Sequence, residues 1–330
     1  MDPNSDSGIS PNEVPQARIP GPGRRVLAIV GIALIAALAA GAWVAFDNSS
    51  SGSASGAETG SKPLDGKPPL VLELPGQPTD GSTEAQLKAA ELRLPAGDVR
   101  IAVARAIAGY TPGEGQATID ALRELPQDDA VVAFHLGVAE LWAGDPKDAQ
   151  ADLRHAKQLD PYGFYGERAD NALHYNMPRG YPWYFPPSAP AKRPSLAKLR
   201  AAVKTNPGDS AAWLQLAVAL EQQHRAQAID AARKAVEASP TAVSPRVALA
   251  VLSFDKDRPA TSMGQLGPML QQDEGNTEIR FHVGLLSLWV GLTTQALGEF
   301  RQVLREDPHG PYAKLSQSFI DKLDTSSSSG

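Results

Sequence analysis

Two stretches of this chain carry the same pattern of apolar and amphipathic runs. Each begins with a mostly apolar run that ends at a glycine, Gly144 in one stretch and Gly291 in the other. Glycine ends a helix readily because it adopts the left-handed conformation. A run with apolar positions at helical spacing follows and stops at Asp-Pro, since the residue before a proline is pushed out of helical geometry. Each stretch is therefore predicted to form a pair of antiparallel helices.

The two stretches, Phe134–Pro161 and Phe281–Pro308, match one another at a constant offset of 147 residues. Identical pairs at this offset are Phe134/Phe281, His135/His282, Gly137/Gly284, Leu141/Leu288, Trp142/Trp289, Gly144/Gly291, Ala149/Ala296, Arg154/Arg301, Asp160/Asp307, Pro161/Pro308, Gly163/Gly310 and Tyr165/Tyr312. So many identities without a gap indicate an internal duplication.

The spacing of small and apolar residues resembles the tetratricopeptide repeat, a helix–turn–helix unit of about 34 residues. The residues at the family's most restrictive places are Leu136, Gly137, Gly144, Ala149, Leu153, Ala156 and Pro161 in the first copy, and Val283, Gly284, Gly291, Ala296, Phe300, Val303 and Pro308 in the second. The aromatic residue usual late in the first helix is displaced by one or two places, to Trp142 and Trp289. The resemblance implies a stack of helical hairpins that binds proteins.

Helical patterns extend each copy into half of a larger array. The first half covers residues 83–161, and the second covers residues 195–325. The second half ends with an amphipathic pattern over Pro311–Leu323, which suits a helix that covers the open end of a repeat stack. Residues 326–330 form a tail. The predicted fold class is all-α, a tetratricopeptide-like helical-hairpin solenoid of two duplicated halves.

An uncharged apolar run over residues 26–46 precedes the solenoid. A helix of this length spans about 31 Å, the thickness of the hydrocarbon core of a bilayer. We therefore predict a single N-terminal transmembrane helix. The alternative is a signal peptide cleaved at Ala40-Gly41-Ala42.

The charges that flank this run predict its orientation. Arg18, Arg24 and Arg25 precede it, and the next basic residue is Lys62. The positive-inside rule therefore places residues 1–25, which we interpret as a disordered tail, in the cytoplasm. The rest of the chain would lie on the outer side of a bacterial-type plasma membrane.

Two segments lack helical patterning. Residues 47–82 are interpreted as a Gly/Ser/Pro linker. Residues 162–194 form an aromatic and proline-rich insert, with eight aromatic residues between Tyr162 and Phe185. We expect this insert to be ordered and to pack against the groove of the first half, because its aromatic core is the nearest apolar material outside the repeats.

Composition narrows the classes of function. The formal net charge is −6, so no basic field attracts nucleic acid. Cysteine is absent, which excludes disulfides, thiol catalysis and Cys-ligated metals. The six histidines show no metal-ligand spacing, and we interpret the duplicated His135 and His282 as structural residues. No catalytic or nucleotide-binding motif is present. We therefore predict a non-enzymatic protein without metal or cofactor, and an enzyme built from dispersed carboxylates remains an alternative.

The first helices of the two repeats are apolar on every side, so they must be buried on all sides. The cover would come from the chain itself, from a second copy in a homo-oligomer, or from a bound protein segment. The residues predicted to bind partners are Phe134, Trp142, Phe281, Leu285, Trp289, Tyr181, Trp183, Tyr184 and Phe185. The predicted function is that of a membrane-anchored extracytoplasmic scaffold, assembly factor or chaperone-like module for protein or peptide segments. A cell-wall or glycan binder that stacks sugars on the insert is the alternative.

Overall fold

The computed structural model of the chain describes residues 62–75, 81–188 and 194–327. This part folds into α-helices, and it contains no β-strand. The helices are α1 Thr83–Arg93, α2 Val99–Ala108, α3 Gln116–Arg123, α4 Ala130–Ala143, α5 Pro146–Leu159, α6 Phe164–Leu173, α7 Leu196–Thr205, α8 Ser210–Leu220, α9 Arg225–Ala238, α10 Val243–Leu252, α11 Pro259–Gln272, α12 Thr277–Trp289, α13 Thr293–Glu306 and α14 Ala313–Ser327.

The two best repeats begin and end with matched devices. The Asp129 side chain accepts a hydrogen bond from the backbone N–H of Val131 and so caps α4. Asn276 caps α12 in the same way. Both first helices end at a glycine with positive φ, 90° at Gly144 and 79° at Gly291. Caps and left-handed glycines satisfy backbone groups that a helix end leaves without partners.

Consecutive helices pack as hairpins, most extensively α4 on α5, α8 on α9 and α12 on α13. The helices of the two duplicated hairpins approach closely at matched glycines. A Cβ atom at Gly137 would lie 2.9 Å from the carbonyl oxygen of Ala149, and one at Gly284 would lie 2.9 Å from Cε1 of Phe300. The small residues predicted from the repeat pattern therefore stand where two helices touch.

The duplication extends over six helices. Shifted by 147 residues, α1–α6 overlap α9–α14 in order, and α7 and α8 are additional to the second half. Helix α6 lies inside the stretch 162–194 that we interpreted as an insert without repeat character. That interpretation needs correction, because α6 is the counterpart of the terminal helix α14.

In the part of the chain that the structure describes, no helix has the length and apolar character needed to cross a membrane. The predicted span 26–46, the tail 1–25 and residues 47–61 of the linker lie outside the described residues.

Candidate functional site

An extended segment of the chain, residues 68–74, lies against the first half. We call it the first strap. Leu70 and Leu72 are buried in the core formed by α1–α6, whereas Val71 and Leu74 are half-buried. Residues 62–75 belong to the stretch that we interpreted as a flexible linker, so that interpretation needs correction for this segment.

Side chains of four helices hold the backbone of the first strap. Its N–H groups donate in succession to His135 Nε2 (Val71, 3.2 Å), Gln86 Oε1 (Leu72, 3.1 Å) and Tyr165 Oη (Glu73, 3.1 Å). Its carbonyl groups accept from Gln86 Nε2 (Leu70, 2.7 Å) and an Arg100 guanidinium nitrogen (Glu73, 2.8 Å). We call the surface formed by Gln86, Arg100, His135 and Tyr165 the first docking face.

A second extended segment, residues 181–187, lies against the second half, and we call it the second strap. Tyr181, Tyr184 and Phe185 are buried, and Trp183 is half-buried. The Tyr184 ring stacks on the His282 ring at 5.1 Å, and the Phe185 ring meets Phe281 edge-on at 5.7 Å. The insert is ordered here, but our prediction that it covers the groove of the first half is wrong, because Tyr184 and Phe185 pack on residues of the second half. Tyr181 also reaches the end of the first half, where its hydroxyl donates to the Pro161 carbonyl at 3.2 Å.

The second strap is also held through its backbone. Its N–H groups donate to Glu221 Oε1 (Tyr184, 2.6 Å) and to His282 Nε2 (Phe185, 3.1 Å). Its carbonyl groups accept from Arg225 (Pro182, 3.2 Å) and from Tyr312 Oη (Phe185, 2.9 Å). We call the surface formed by Glu221, Arg225, His282 and Tyr312 the second docking face.

The two docking faces share a histidine and a tyrosine that the duplication relates, His135 with Tyr165 and His282 with Tyr312. Each histidine uses Nδ1 on the backbone carbonyl of the residue four places earlier, at 2.8 Å and 2.7 Å. A carbonyl only accepts, so Nδ1 carries the proton and Nε2 is free to accept from the strap. Burial lowers the pKa of each histidine to about 4, partly opposed by that hydrogen bond. Both rings are therefore neutral near pH 7.

Sequence reasoning identified His135 and His282 as structural residues and missed this contact. Their duplication together with that of Tyr165 and Tyr312 was the available signal. The flanking prolines of an otherwise apolar run, Pro68–Pro75, were the corresponding signal for the first strap.

The residues predicted to bind partners lie inside or beside these contacts. Phe281, Leu285 and Trp289 are buried in the second half, and Phe134 is buried in the first, with its ring 6.1 Å from that of Tyr165. Trp142 is half-buried, and its carbonyl accepts from the N–H of Leu64 at 2.9 Å. The structure thus brings Phe281 together with the second strap. It covers the apolar first helices with the chain's own segments.

A charged cluster joins the end of the first half to the α10–α11 connection of the second. The Lys157 ammonium lies 2.7 Å from Asp170, 3.0 Å from Asp255 and 2.6 Å from Asp257. His174 bridges the same groups, with Nδ1 3.1 Å from Asp170 and Nε2 3.0 Å from Asp257. Burial lowers the pKa of His174, but hydrogen bonds and charge from Asp170, with the charge of Asp257, outweigh it and raise the pKa overall.

Asp170, His174 and Asp257 are close enough together to hold a metal ion. However, the Lys157 ammonium already contacts two of these carboxylates. The cluster therefore carries its own cation, and its geometry is that of an ion-pair network between the two halves.

No protein-family model and no curated protein matches the chain. Among solved structures, the crystal structure of MamA aligns with a TM-score of 0.26 and 14% identity, over 62% of this chain and 94% of that one. The crystal structure of yeast Tom70 aligns with a TM-score of 0.30 and 15% identity, over 74% of this chain and 65% of that one. The TPR2AB domain of yeast Sti1, in a pHSP90 complex, aligns with a TM-score of 0.31 and 15% identity, over 73% of this chain and 90% of that one. Scores this low say nothing about what the chain binds.

The chain's own geometry carries the assignment of the fold. Paired helices meet at Gly137 and Gly284, the first helices end at left-handed glycines, and two halves repeat the same six-helix order. The described part of the chain has a tetratricopeptide-like fold.

Proposed function

We propose that this protein is a non-catalytic, membrane-anchored scaffold that binds extended segments of other proteins on the outer side of a bacterial-type plasma membrane. The observation that supports it most directly is the matched pair of docking faces. Each uses a buried neutral histidine to accept a backbone N–H from an extended chain. A site that recognises backbone groups and apolar side chains suits protein segments, as in strand-like peptide recognition.

The proposed location rests on the sequence. The uncharged run 26–46 and the arginines before it favour an anchor with a cytoplasmic N-terminus. A reporter that is active only in the cytoplasm should be silent when fused after Ser329, and Arg24→Glu with Arg25→Glu should weaken this bias. Activity of the unmodified fusion would contradict the proposed location.

Site-specific photocrosslinking in membranes tests protein binding. A photoreactive amino acid at Glu73, which is exposed beside the first docking face, should give discrete protein adducts. The same group at Asp230, whose side chain is 63% exposed on α9, is the control. Equal adducts at both positions, or none at either, would contradict the proposal.

The glycan-binding alternative predicts a different outcome. It requires aromatic rings that are open to solvent, yet Tyr181, Tyr184 and Phe185 are buried. Retention of the full chain on purified cell-wall material, without protein adducts, would favour it.

A further inference from the structure

We propose that the first strap is an exchangeable occupant of the first docking face, which another protein replaces with an extended apolar segment flanked by prolines. This inference rests on the proposed function, and it adds the chemistry of the partner and the means by which binding is restrained.

The docking faces recognise a backbone conformation more than a sequence. The two straps read PPLVLEL and YPWYFPP, so their apolar side chains differ. Val71 and Phe185, which donate to the matched histidines, are 114 residues apart rather than 147, so the straps are not copies from the duplication. What they share is an extended apolar core between prolines and an N–H group aimed at the histidine. A segment of another protein with these features meets the same requirements.

The first strap is the less enclosed of the two. Val71 and Leu74 are half-buried, and Glu73 is exposed. A pocket of about 360 Å³ adjoins the first docking face, with which it shares Arg100 and Tyr165. It is lined by Asp98, Val99, Arg100, Asp129, Val131 and Tyr165. A partner segment that extends into this pocket would make contacts that the strap, none of whose residues lines it, does not make.

The second strap, in contrast, is a fixed part of the fold. It stands in the described chain between α6 and α7, and Tyr184 and Phe185 are almost completely enclosed. The Tyr184 hydroxyl also donates to Glu278 at 2.7 Å. Exchange is therefore assigned to the first docking face alone.

A tethered strap lowers the apparent affinity of the first docking face for a partner, because the two compete for the same site. A segment joined to its site by a short connection competes at an effective concentration on the order of millimolar. Removing that competitor restores the intrinsic affinity of the open face. We therefore expect a released strap to tighten partner binding by about tenfold or more.

The test uses the purified full chain in detergent micelles and a labelled peptide with the sequence of residues 67–75, KPPLVLELP. Fluorescence anisotropy measures its dissociation constant. Leu70→Asp with Leu72→Asp places charges on the two buried strap positions and should release the strap, so this variant should bind the peptide at least about tenfold more tightly than the wild type. The variant Leu92→Asp, at a residue 80% exposed, adds charge elsewhere and should bind as the wild type does. A peptide with aspartate at both leucine positions should not bind.

A reversible crosslink provides an independent arm if the double variant does not fold. The N–H of Leu64 lies 2.9 Å from the carbonyl oxygen of Trp142, so Leu64 and Ala143, the next residue, are within reach of a short crosslink. The chain contains no cysteine, and Leu64→Cys with Ala143→Cys introduces its only thiol pair. Closing the disulfide should abolish peptide binding, and reduction should restore it.

Equal affinity of the oxidised and reduced forms would overturn the inference, as would a folded double variant that binds no more tightly than the wild type. A dimer that forms in the wild type but not in the oxidised double-cysteine variant would also overturn it. In that case the segment that replaces the strap would come from a second copy of this chain. Failure of the peptide assay with retained photocrosslinking at Glu73 leaves the scaffold function in place. Failure of both removes the two proposals together.

Discussion

His135 and His282 act as hydrogen-bond acceptors because burial and a carbonyl partner fix their protonation. Protonation would place a donor opposite the strap N–H and a charge in the apolar core. Their pKa of about 4 lies below the value of about 6.5 for a histidine in an unfolded chain. The folded state therefore binds fewer protons than the unfolded state between these values. The stability that each neutral histidine contributes is therefore fully present above pH ~6.5 and is lost as the pH falls toward 4.

This linkage gives a prediction for the pH dependence of stability. The free energy of unfolding should fall on acidification from pH ~6.5, by on the order of 1 kcal/mol per pH unit for each histidine. His282→Gln keeps an acceptor without a titrating ring, so it should flatten this part of the curve. Urea unfolding at a series of pH values measures the effect, with His309→Gln, at an exposed position, as the control. Parallel curves for the wild type and His282→Gln would contradict the prediction.

Gly137 and Gly284 each allow the two helices of a hairpin to pack closely, one in each half. A side chain at either position would enter the contact between two packed helices. Gly137→Leu and Gly284→Leu should each destabilise the protein by about 3 kcal/mol, as overpacking does. Thermal unfolding should show similar losses for both, and Gly264→Leu, where an added Cβ meets no neighbour within 4 Å, should cost much less. An unchanged melting curve for one of the pair would show that its repeat is assigned wrongly.

At the scale of the elements, each strap lies on the half of the chain that follows it. The first strap precedes α1 and docks on the core of α1–α6. The second precedes α7 and docks on α9, on α12 and on residues next to the ends of α8 and α14. Helices α7 and α8 are additional to the second half, but its strap still docks on the half that follows it along the chain. The apolar first helices are thus covered in cis, and the faces that a partner would use are already shaped to an extended chain.

The second strap should contribute strongly to stability because it cannot leave the fold. Phe185→Ala removes a ring that is 8% exposed and packs on Phe281, so it should cost about 3 kcal/mol. Trp183→Ala removes a half-buried ring and should cost clearly less. Chemical unfolding measures both. A larger loss for Trp183→Ala than for Phe185→Ala would contradict the assignment of the second strap to the core.

At the scale of the whole molecule, the repeat pattern predicts the helices but not the straps. Small residues and left-handed glycines act within a single hairpin, so the positions of Gly137 and Gly144 indicate it without knowledge of the rest. The straps depend on side-chain contacts between residues 14 to 127 places apart, which leave no periodic signal. For that reason the sequence indicates that the apolar residues 181–185 pack on the solenoid, but it does not indicate on which half they pack.

The junction between the halves is the other feature without a sequence signal. Lys157 and Asp170 have no charged counterparts at the duplication offset, where Leu304 and Gln317 stand. The other partners of Lys157, Asp255 and Asp257, lie about a hundred residues further along the chain. The network belongs to the place where the first half ends against the second, which a pattern that repeats in both halves cannot reveal.

Lys157 should therefore control how the two halves unfold. Burial lowers its pKa, but hydrogen bonds to Asp170, Asp257 and Asp255 and the charge of Asp170 outweigh this and raise the pKa, so the ammonium stays charged. Lys157→Met leaves the fully buried carboxylate of Asp170 with His174 as its remaining partner in direct contact. Breaking a buried ion pair from one side costs about 3 kcal/mol or more.

Calorimetry of Lys157→Met should show a lower midpoint and a broader transition, because the halves lose an ion-pair network that couples them. Arg154→Met, on the same helix with an exposed side chain that bonds Gln150, removes an equal charge and should leave the transition in place. Asp255→Asn tests the second half's side of the network and should act in the same direction, though less, since Asp257 still contacts the lysine. A single transition with an unchanged midpoint in Lys157→Met would mean that the halves are held together by apolar contacts rather than by this network.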